Sequence, residues 1–325
     1  MPEVIEVARC SDCDEIVRPD CRSEDPNGNV ICDSCYENNY FTCQECDRFY
    51  DNDEYQEDGR CVNCLYDEDD RYEFINDASY MPTLIFSKES WENTLFQGIE
   101  LEIELPDSFR PANHADNFRS WLVKNKLERF IYFKEDGSLD NGYEIVSHPF
   151  TSRSRHKLMN WYKVLKYLRQ SGAKAFKTKT CGLHVHVNKS GLSFTDILKL
   201  KLFFSRNQGM IERVAGRLEN TYCEYQRFGL AEYKDGSVSC DTRYVAVNVN
   251  NSSRKSTVEF RVFKSTLTYS RFIACLQFVE ACCEFVKVHG APAIAGRDSW
   301  LDFRQYVIKA GCYQQLVKHI RKVGA

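Results

Sequence analysis

Three short segments of this 325-residue chain place ionisable side chains on alternate positions of otherwise apolar runs. Strict alternation is typical of a β-strand, and it brings the alternate side chains to one face. Carboxylate, imidazole and guanidinium groups in such pairs suit hard cations and phosphate oxygens. The segments therefore predict a metal and phosphate site on a sheet. In chain order the side chains concerned are Glu100, Glu102, Glu104, His184, His186, Glu259 and Arg261.

The first segment, Gly-Ile-Glu-Leu-Glu-Ile-Glu-Leu at 98–105, carries three glutamates that should repel one another. Neighbouring carboxylates on one face of a strand lie about 7 Å apart, which costs on the order of 2 kcal/mol per pair at an effective dielectric constant near 20. A cationic group is therefore expected among them. The alternative is a sheet with one face in water, where these groups form surface ion pairs.

Four Cys-x-x-Cys pairs near the N-terminus predict two zinc sites. The first and second pairs are separated by 18 residues, and the third and fourth pairs by 14. Both separations are close to the spacing of a four-cysteine zinc site. Four thiolates fill the tetrahedral shell of zinc and leave no open position, so both ions should be structural. The cysteines are Cys10, Cys13, Cys32, Cys35, Cys43, Cys46, Cys61 and Cys64.

These units resemble tandem zinc ribbons or a LIM-like pair. The spacing leaves two pairings open: successive pairs sharing a zinc ion, or a cross-braced arrangement of the first pair with the third. Cys21 is left over and is expected to be a free thiol. Disulfides in a secreted chain are the competing interpretation, but the N-terminal residues have no basic segment followed by an apolar one. A cytoplasmic location is therefore expected.

The charges of the chain are distributed very unevenly. Residues 1–80 contain 23 acidic and 6 basic residues, a net charge of −17, and the remainder has a net charge of +13. The strong negative charge of residues 1–80 argues against nucleic-acid binding by this part of the chain and favours a protein partner. No apolar run approaches the roughly 18 residues of a membrane span, so no membrane association is expected.

The pattern of the remaining sequence predicts an α+β fold after the zinc-stabilised module. The expected domains are a zinc module at 1–66, an acidic linker at 67–93 and a catalytic domain at 94–325. Amphipathic helices are predicted near 115–126, 152–171, 193–218, 268–289 and 299–322, with the last interrupted at Gly311. Strands between them should form a curved antiparallel sheet whose apolar face is covered by the helices.

A predicted hairpin from Phe133 to Glu144 adds a further carboxylate to the polar face, because Glu144 begins the returning strand. Asp136 and Ser138 lie in its Asp-Gly-Ser turn. They are candidates to orient Glu144 or to touch a phosphate, although such a turn is also common without any function. Arg243 and Asn248, in the strand before Glu259, are candidates for substrate binding.

Five motifs occur in the order found in the amidoligases, relatives of glutamine synthetase and glutamate-cysteine ligase, and the chain resembles that family over roughly 94–290. The ordered set is more specific than any one motif, and it does not include the zinc module. The motifs are GIELEIE, the DGS turn followed by GYEIVSHP, CGLHVHV, RYVAVN and TVEFRVFKSTL.

The resemblance implies ATP-dependent joining of a carboxylate to an amine through an acyl-phosphate, on a glutamine synthetase-like sheet with Mg²⁺ held by carboxylates. Protein or peptide substrates would fit, with the zinc module recruiting or positioning a substrate or partner. Arg261 would stabilise charge on the transferred phosphoryl group, and His184 or His186 would complete a metal shell or donate to a phosphate oxygen. The predicted oxygen ligands of Mg²⁺ are Glu100, Glu102, Glu144 and Glu259.

Two other classes of function use the same residues. A metal-dependent hydrolase or nuclease would employ the carboxylates with a bound water and no nucleotide. A non-catalytic adaptor would use the zinc units to bind a partner and keep the second domain as a scaffold. The chain contains no GxxxxGK phosphate loop and no dinucleotide fingerprint, so the expectation of ATP depends on the family resemblance and the carboxylates.

Overall fold

The structure of the protein, a computed structural model, separates into two compact units, Met1–Glu73 and Phe74–Ala325. The predicted boundaries at 66/67 and 93/94 stay predictions. No helix among the described residues is both long and apolar enough to span a membrane. The structure describes residues 8–17, 22–24, 30–42, 44, 49–52, 59, 74–86, 94–155, 159–236, 242–249 and 256–325.

In the first unit, short strands pair in three two-stranded sheets, β1–β2, β3–β4 and β5–β6. Among the described residues of this unit, the buried cluster consists of Cys10, Val17 and Ile31. Such a cluster is too small to stabilise a fold without a further cross-link. The elements are β1 Ala8–Arg9, β2 Ile16–Val17, β3 Arg22–Glu24, β4 Val30–Cys32, α1 Asp33–Asn39, β5 Tyr40–Thr42 and β6 Phe49–Asp51.

The second unit contains a seven-stranded sheet in the order β12-β13-β11-β8-β10-β9-β7. All neighbouring strands run antiparallel except β7 and β9, which are parallel. The predicted α+β class is confirmed, and the expectation of a wholly antiparallel sheet is wrong at this edge. The strands are β7 Ile75–Asn76, β8 Gln97–Glu104, β9 Ile131–Lys134, β10 Gly142–Ser147, β11 Gly182–Asn188, β12 Val247–Asn248 and β13 Thr257–Lys264.

Strand β7 lies within the range predicted to be an acidic linker. Its two residues pair with Phe133 and Lys134 of β9, and the side-chain amide of Asn76 donates to the Phe133 carbonyl at 2.9 Å. A strand this short at a sheet edge has too few alternating residues to show a period of two, which is why the sequence pattern did not predict it.

Helices pack against one face of the sheet, close to the predicted positions. The predicted helix near 152–171 is shorter than expected, and the one near 193–218 divides at Asn207. The last predicted helix is interrupted at Gly311, which adopts φ 72°. The helices are α2 Pro111–Lys124, α3 Trp161–Gln170, α4 Phe194–Arg206, α5 Gln208–Ala215, α6 Leu230–Asp235, α7 Tyr269–Val288, α8 Ala291–Ala295, α9 Ser299–Ala310 and α10 Gln314–Val323.

Aromatic side chains fix the helices to the sheet. Phe118 of α2 stacks on Phe133 of β9 with ring centroids 5.4 Å apart, and Phe204 of α4 meets Phe260 of β13 at 5.5 Å. These rings belong to a single large core with the apolar residues of β8, β10, β11 and β13. Because side chains alternate along each strand, burying that face leaves the polar residues of the same strands on the other face.

The stability of the second unit is expected to depend on pH through His114 of α2. Its Nδ1 lies 2.9 Å from the Tyr143 hydroxyl and its Nε2 2.8 Å from Oγ of Ser171, and burial lowers its pKa from 6.5 to about 4. The unfolded chain therefore binds the proton first as the pH falls. The stabilisation from a neutral His114 is complete above pH 6.5 and is lost between 6.5 and 4.

We expect His114→Gln to flatten this pH dependence. At pH 5 the wild type should have lost about 1 kcal/mol of unfolding free energy through this residue, after allowance for solvent screening. Urea unfolding followed by tryptophan fluorescence at pH 7 and pH 5 measures the difference, since all four tryptophans lie at residue 91 or later. An unchanged pH dependence in the variant would show that His114 does not titrate on unfolding.

Candidate functional site

The ionisable side chains predicted from the sequence meet on the face of the sheet opposite the helices. Cross-strand pairing explains why: Glu144 lies directly opposite Glu102, His184 opposite Glu100, and His186 opposite Glu259. Residues that face each other across antiparallel strands project on the same side. Four strands therefore contribute to one cluster, which we call the carboxylate cluster: Glu100, Glu102, Asp136, Glu144, His184, His186, Glu259 and Arg261.

The glutamates of this cluster are withdrawn from water. Glu100, Glu102, Glu144 and Glu259 are each 9% exposed or less. This excludes the interpretation of the strands as an ordinary wet sheet face, on which carboxylates remain hydrated. Glu104, on the same face of β8, is more exposed; it accepts a hydrogen bond from the Thr180 hydroxyl and belongs to none of the metal-binding groups below.

His184 occupies the centre of the cluster. Its Nδ1 lies 3.4 Å from Oε2 of Glu100 and 3.8 Å from Oε1 of Glu259, and its Nε2 lies 3.5 Å from Oε1 of Glu102. His186 is placed further along β11, with Nε2 3.2 Å from Oε1 of Glu100. One imidazole thus bridges three carboxylates that come from two strands.

Arg261 and Asn248 neutralise one end of the cluster. Nη1 of Arg261 lies 2.5 Å from Oε1 of Glu259, and the side-chain amide of Asn248 donates to Oε2 at 2.9 Å. Although burial alone would raise it, the pKa of Glu259 is lowered, because His186, Arg261 and His184 favour the carboxylate. Glu259 is therefore a stable anion in the folded protein.

The opposite end has an excess of negative charge. Burial, and then repulsion from Glu100 and Glu102, raises the pKa of Glu144 well above its ordinary value. Burial also raises the pKa of Glu102, against the attraction of His184 and a hydrogen bond from the Gly182 amide. A cation bound among these groups would remove this penalty, so the acidic end is where one fits best.

Three overlapping groups in the cluster have ligand atoms within 4.8 Å of one another. They are Glu102–Asp136–Glu144, Glu100–Glu144–His184 and Glu100–His186–Glu259. Glu100 and Glu144 each belong to two groups. Carboxylates shared in this way can bridge neighbouring cations, and oxygen-rich ligand sets suit Mg²⁺.

The Asp-Gly-Ser turn serves the cluster through Asp136. Its Oδ1 accepts a hydrogen bond from the Ser138 amide at 2.8 Å, which is ordinary turn chemistry, while the carboxylate also lies with Glu102 and Glu144. Ser138 is not in any of the three metal-binding groups. Arg243 is exposed and donates to the Tyr244 hydroxyl, outside the cluster.

A bulge in β13 contributes to the placement of Arg261. Between the pairs Leu183–Phe263 and Val185–Phe260, β13 contains one residue more than β11. The extra residue lies opposite His184 and interrupts the alternation of side chains along β13. As a result, the consecutive residues Val262 and Phe263 are both buried on the core side. Bulges of this kind occur next to active sites, where they redirect a side chain.

Two glycines allow the strands to approach closely. An added Cβ at Gly182 would lie 2.7 Å from Nη1 of Arg217, 3.0 Å from Nε2 of His184 and 3.4 Å from Oε2 of Glu102. A Cβ at Gly142 would lie 1.9 Å from the backbone oxygen of Ile103. A residue larger than glycine at 142 therefore forces β10 away from β8, and with it Glu144 from Glu102.

We expect Gly142→Ala to destabilise the second unit by more than about 2 kcal/mol, because the clash is with backbone that cannot rotate away. Gly137→Ala, in the turn of the same hairpin, is the matched control: its Cβ would have no neighbour within 4 Å, and the change should stay within about 0.5 kcal/mol. Thermal unfolding of both variants tests this. Equal melting temperatures would mean that the strands separate without penalty.

The sequence interpretation missed two cations beside the cluster. Lys134 is buried and lies directly opposite Glu144, and its charge lowers the pKa of that carboxyl. Arg217 follows the end of α5, and its positive charge partly offsets the rise in the pKa of Glu102. Its Nη1 has no hydrogen-bond partner among the described residues. The hairpin register could have identified Lys134, but no spacing in the sequence indicates Arg217.

In the first unit, Cys10, Cys13, Cys32 and Cys35 lie together, with all four sulfurs within 4.8 Å of one another. Two successive pairs, the first and the second, therefore come together at one site. Sγ of Cys13 and Sγ of Cys32 are 3.8 Å apart, and the edge of a zinc–thiolate tetrahedron with 2.3 Å bonds is about 3.8 Å. The second predicted set, Cys43, Cys46, Cys61 and Cys64, and the leftover Cys21 lie outside the described residues.

Backbone amides also support the four sulfurs. The Cys32 amide donates to Sγ of Cys10 at 3.3 Å, and the Cys35 amide to Sγ of Cys32 at 3.4 Å. Although burial opposes it, hydrogen bonds from the backbone of Cys32, Cys13 and Asp12 lower the pKa of Cys10 to about 6. The site therefore fits zinc in ligand type, in ligand number and in spacing.

Among known proteins, the family model described as "Putative amidoligase enzyme" matches residues 113–229. That range contains Glu144, His184 and His186 but not the strands that carry Glu100, Glu102, Glu259 and Arg261. No curated protein matches the sequence.

Thirteen chains of solved structures also match. One is in the structure named "Crystal structure of the complex between Prokaryotic Ubiquitin-like Protein Pup and its Ligase PafA", with 10% sequence identity and a TM-score of 0.37; the match covers 71% of this chain and 64% of that one. The present chain thus spans slightly less than two thirds of that chain, and a similarity this low establishes no shared activity. The family model agrees with the resemblance indicated by the ordered strand motifs: over residues 113–229 the chain is similar to the amidoligase family of enzymes.

Proposed function

We propose that the protein is an ATP- and Mg²⁺-dependent carboxylate–amine ligase. The observation that carries this proposal is the carboxylate cluster, in which four buried glutamates from three strands meet at one face of the sheet. Burying four carboxylates together is strongly unfavourable unless cations accompany them. The amidoligase family match supports amide-bond formation as the reaction.

The proposed Mg²⁺ ligands are Glu100, Glu102 and Glu144 with Asp136, at the acidic end of the cluster. These residues fit because burial raises the pKa of Glu102 and Glu144, and repulsion from Glu100 and Glu102 raises that of Glu144 further, so a bound cation would stabilise their charged forms. Mg²⁺ held by these residues would supply positive charge to offset that of the nucleotide phosphates. Glu259 has both oxygens engaged by Arg261 and Asn248, so its main role is to position Arg261.

Three cations border the cluster and would orient the transferred phosphoryl group. Arg261 stands beside Glu259, Lys134 beside Glu144, and Arg217 beside Gly182 and Glu102. Arg217 is the strongest candidate to contact a phosphate oxygen, since its Nη1 has no partner in the described part of the chain. Positive groups fixed in a dry site stabilise charge that develops during phosphoryl transfer.

In the proposed reaction, a substrate carboxylate attacks the γ-phosphorus of ATP, ADP leaves, and an amine then displaces phosphate from the acyl-phosphate to give an amide. The amine must lose protons as it attacks. The departing phosphate would accept them, since Glu144 and its neighbours would hold Mg²⁺. His184, in contact with three glutamates, keeps their side chains in one arrangement.

We further propose that the first unit binds two structural zinc ions and recruits or positions a protein or peptide partner. In support of one of these ions, the sulfurs of Cys10, Cys13, Cys32 and Cys35 all lie within 4.8 Å of one another. The strong negative charge of residues 1–80 would attract a basic partner.

Product analysis tests the proposed reaction. Purified protein, ATP, Mg²⁺ and mixed carboxylates with amino acids, polyamines or peptides should release ADP and phosphate only when acid and amine are both present. EDTA should stop the release. Consumption of nucleic acid or peptide without ATP would instead establish a hydrolase, and no turnover under any combination would favour the adaptor.

A further inference from the structure

A cavity of about 610 Å³ opens beside the carboxylate cluster, within the second unit. Its walls are mainly apolar and come from the extended segment 81–86 and from the strands β8, β9 and β10. Its inner end is formed by Glu100 and His186. We call it the apolar cavity; its principal apolar side chains are Met81, Leu84, Phe86, Phe96, Tyr132 and Val146.

Three of the polar side chains that line this cavity, Gln97, Ser147 and Asn188, are engaged in hydrogen bonds that hold the fold together. The side-chain amide of Gln97 donates to a backbone carbonyl of α7 at 3.0 Å. Oγ of Ser147 accepts from the Ile99 amide at 3.0 Å, and Oδ1 of Asn188 accepts from the Phe96 amide at 2.8 Å. Because the principal lining side chains are apolar, an occupant would be held mainly by burial of its hydrocarbon surface.

The inner end of the cavity has a complementary charge for one kind of ligand. Glu100 and His186 both line it, with Nε2 of His186 3.2 Å from Oε1 of Glu100, and both belong to the carboxylate cluster. A cationic nitrogen is attracted there, whereas a carboxylate is repelled. This is also the place where the proposed ligase needs its amine, next to the groups that would hold the phosphates.

We propose that the apolar cavity binds the hydrocarbon part of the amine substrate, so that the enzyme selects primary amines with a bulky aliphatic or aromatic group. The hydrocarbon group lies between Leu84, Phe96 and Val146, with the amine nitrogen at the end of the cavity that borders the carboxylate cluster. The inference rests on the proposed ligase function, and it adds the class of amine to it. A cavity of this volume is within the range of small-molecule sites.

Calorimetric titration of the full chain, without nucleotide, tests the proposal. The ligands are 2-phenylethylamine, ethanolamine as its polar counterpart, 3-phenylpropionate as its anionic counterpart, and adenosine. We expect 2-phenylethylamine to bind at least about 10-fold more tightly than the other three, because it alone combines an apolar ring with a cation.

Variants that fill the cavity should remove this preference. Gly98 has room for a side chain, since an added Cβ would lie no closer than 3.7 Å to its nearest neighbour, the Ser147 carbonyl. Gly98→Leu should weaken 2-phenylethylamine binding at least about 10-fold. Should that variant fail to fold, Leu84→Trp narrows the same space from a position 49% exposed. Leu301→Trp on α9, at a leucine that is also 49% exposed but outside the cavity, should bind like the wild type.

Equal binding of ethanolamine, or tighter binding of adenosine that Gly98→Leu blocks, would overturn the proposal. Failure of the ligase function is distinguishable. If 2-phenylethylamine binds as expected but no combination of acid and amine releases ADP, the amine-binding cavity is supported and the proposed ligase reaction is wrong. If small polar amines support ADP release and Gly98→Leu leaves that release unchanged, the reaction is right and the cavity is not the amine site.

Discussion

Glu102→Gln is expected to lower amine-dependent ADP release by roughly 10²- to 10³-fold, the range for losing one preorganised electrostatic group at a reacting centre. Glutamine has the same size and shape but no charge. Glu102 is 4% exposed, contacts His184 and lies in the group with Asp136 and Glu144, so its charge is central to holding a cation there. The variant should fold normally, because removing one of several repelling carboxylates relieves strain between them.

Glu104→Gln is the matched control for this prediction. Glu104 lies on the same face of the same strand, two residues further, but it contacts Thr180 and belongs to no metal-binding group. We expect its ADP release to stay within about 3-fold of the wild type. Equal loss in both variants would mean that the strand, and not the cluster, determines activity. Equal turnover of Glu102→Gln and the wild type would remove Glu102 from the site.

Cys35→Ser is expected to release one of the two predicted zinc ions and to unfold the part of the first unit that surrounds it. The apolar cluster there contains three buried residues, which cannot replace a metal bound with an apparent free energy of roughly 10–16 kcal/mol. Metal analysis of the purified protein should give about one zinc per chain where the wild type has about two. Proteolysis should cut the variant within residues 1–73 much faster.

Cys21→Ser provides the comparison, because Cys21 is the cysteine without a place in the four Cys-x-x-Cys pairs. Its zinc content should equal that of the wild type. Full zinc content in Cys35→Ser would contradict the four-thiolate site. Loss of zinc from Cys21→Ser would show that the leftover cysteine is a ligand.

The sequence alone predicted the strands of the site with good accuracy. Alternation defined β8, β10, β11 and β13 to within about a residue or two, since a one-residue shift would have placed every charged side chain in the core. The same alternation correctly put Glu100 and Glu102 on one face, and Arg261 on the face of Glu259. Local periodicity is sufficient for such statements because it acts within one strand.

Features that depend on partners far along the chain were not predictable. The order β13-β11-β8-β10 determines that His184 contacts both Glu100 and Glu259, and no local pattern specifies strand order. Arg217 reaches the cluster from the end of a helix. The parallel edge strand β7 lies in a segment whose composition predicts an acidic linker. The apolar cavity likewise combines residues from segments more than 170 positions apart.

The ligase, the hydrolase and the adaptor would each need different properties of the carboxylate cluster. An adaptor has no need for four buried glutamates beside three cations, because such a set is unfavourable unless it binds something. A hydrolase would use the same carboxylates with water. The buried acidic end next to a large apolar cavity favours a reaction between an organic amine and an activated acid, from which water is excluded.

The most direct test of the account is to count bound divalent ions. Titration of the full chain with Mn²⁺ in the presence of a non-hydrolysable ATP analogue, followed by electron paramagnetic resonance, reports the ions held by protein and nucleotide together. The account predicts about two or more Mn²⁺ per chain above those bound by free nucleotide, and fewer in Glu102→Gln. Mn²⁺ binding no greater than that of the nucleotide alone, or equal in both proteins, would contradict it.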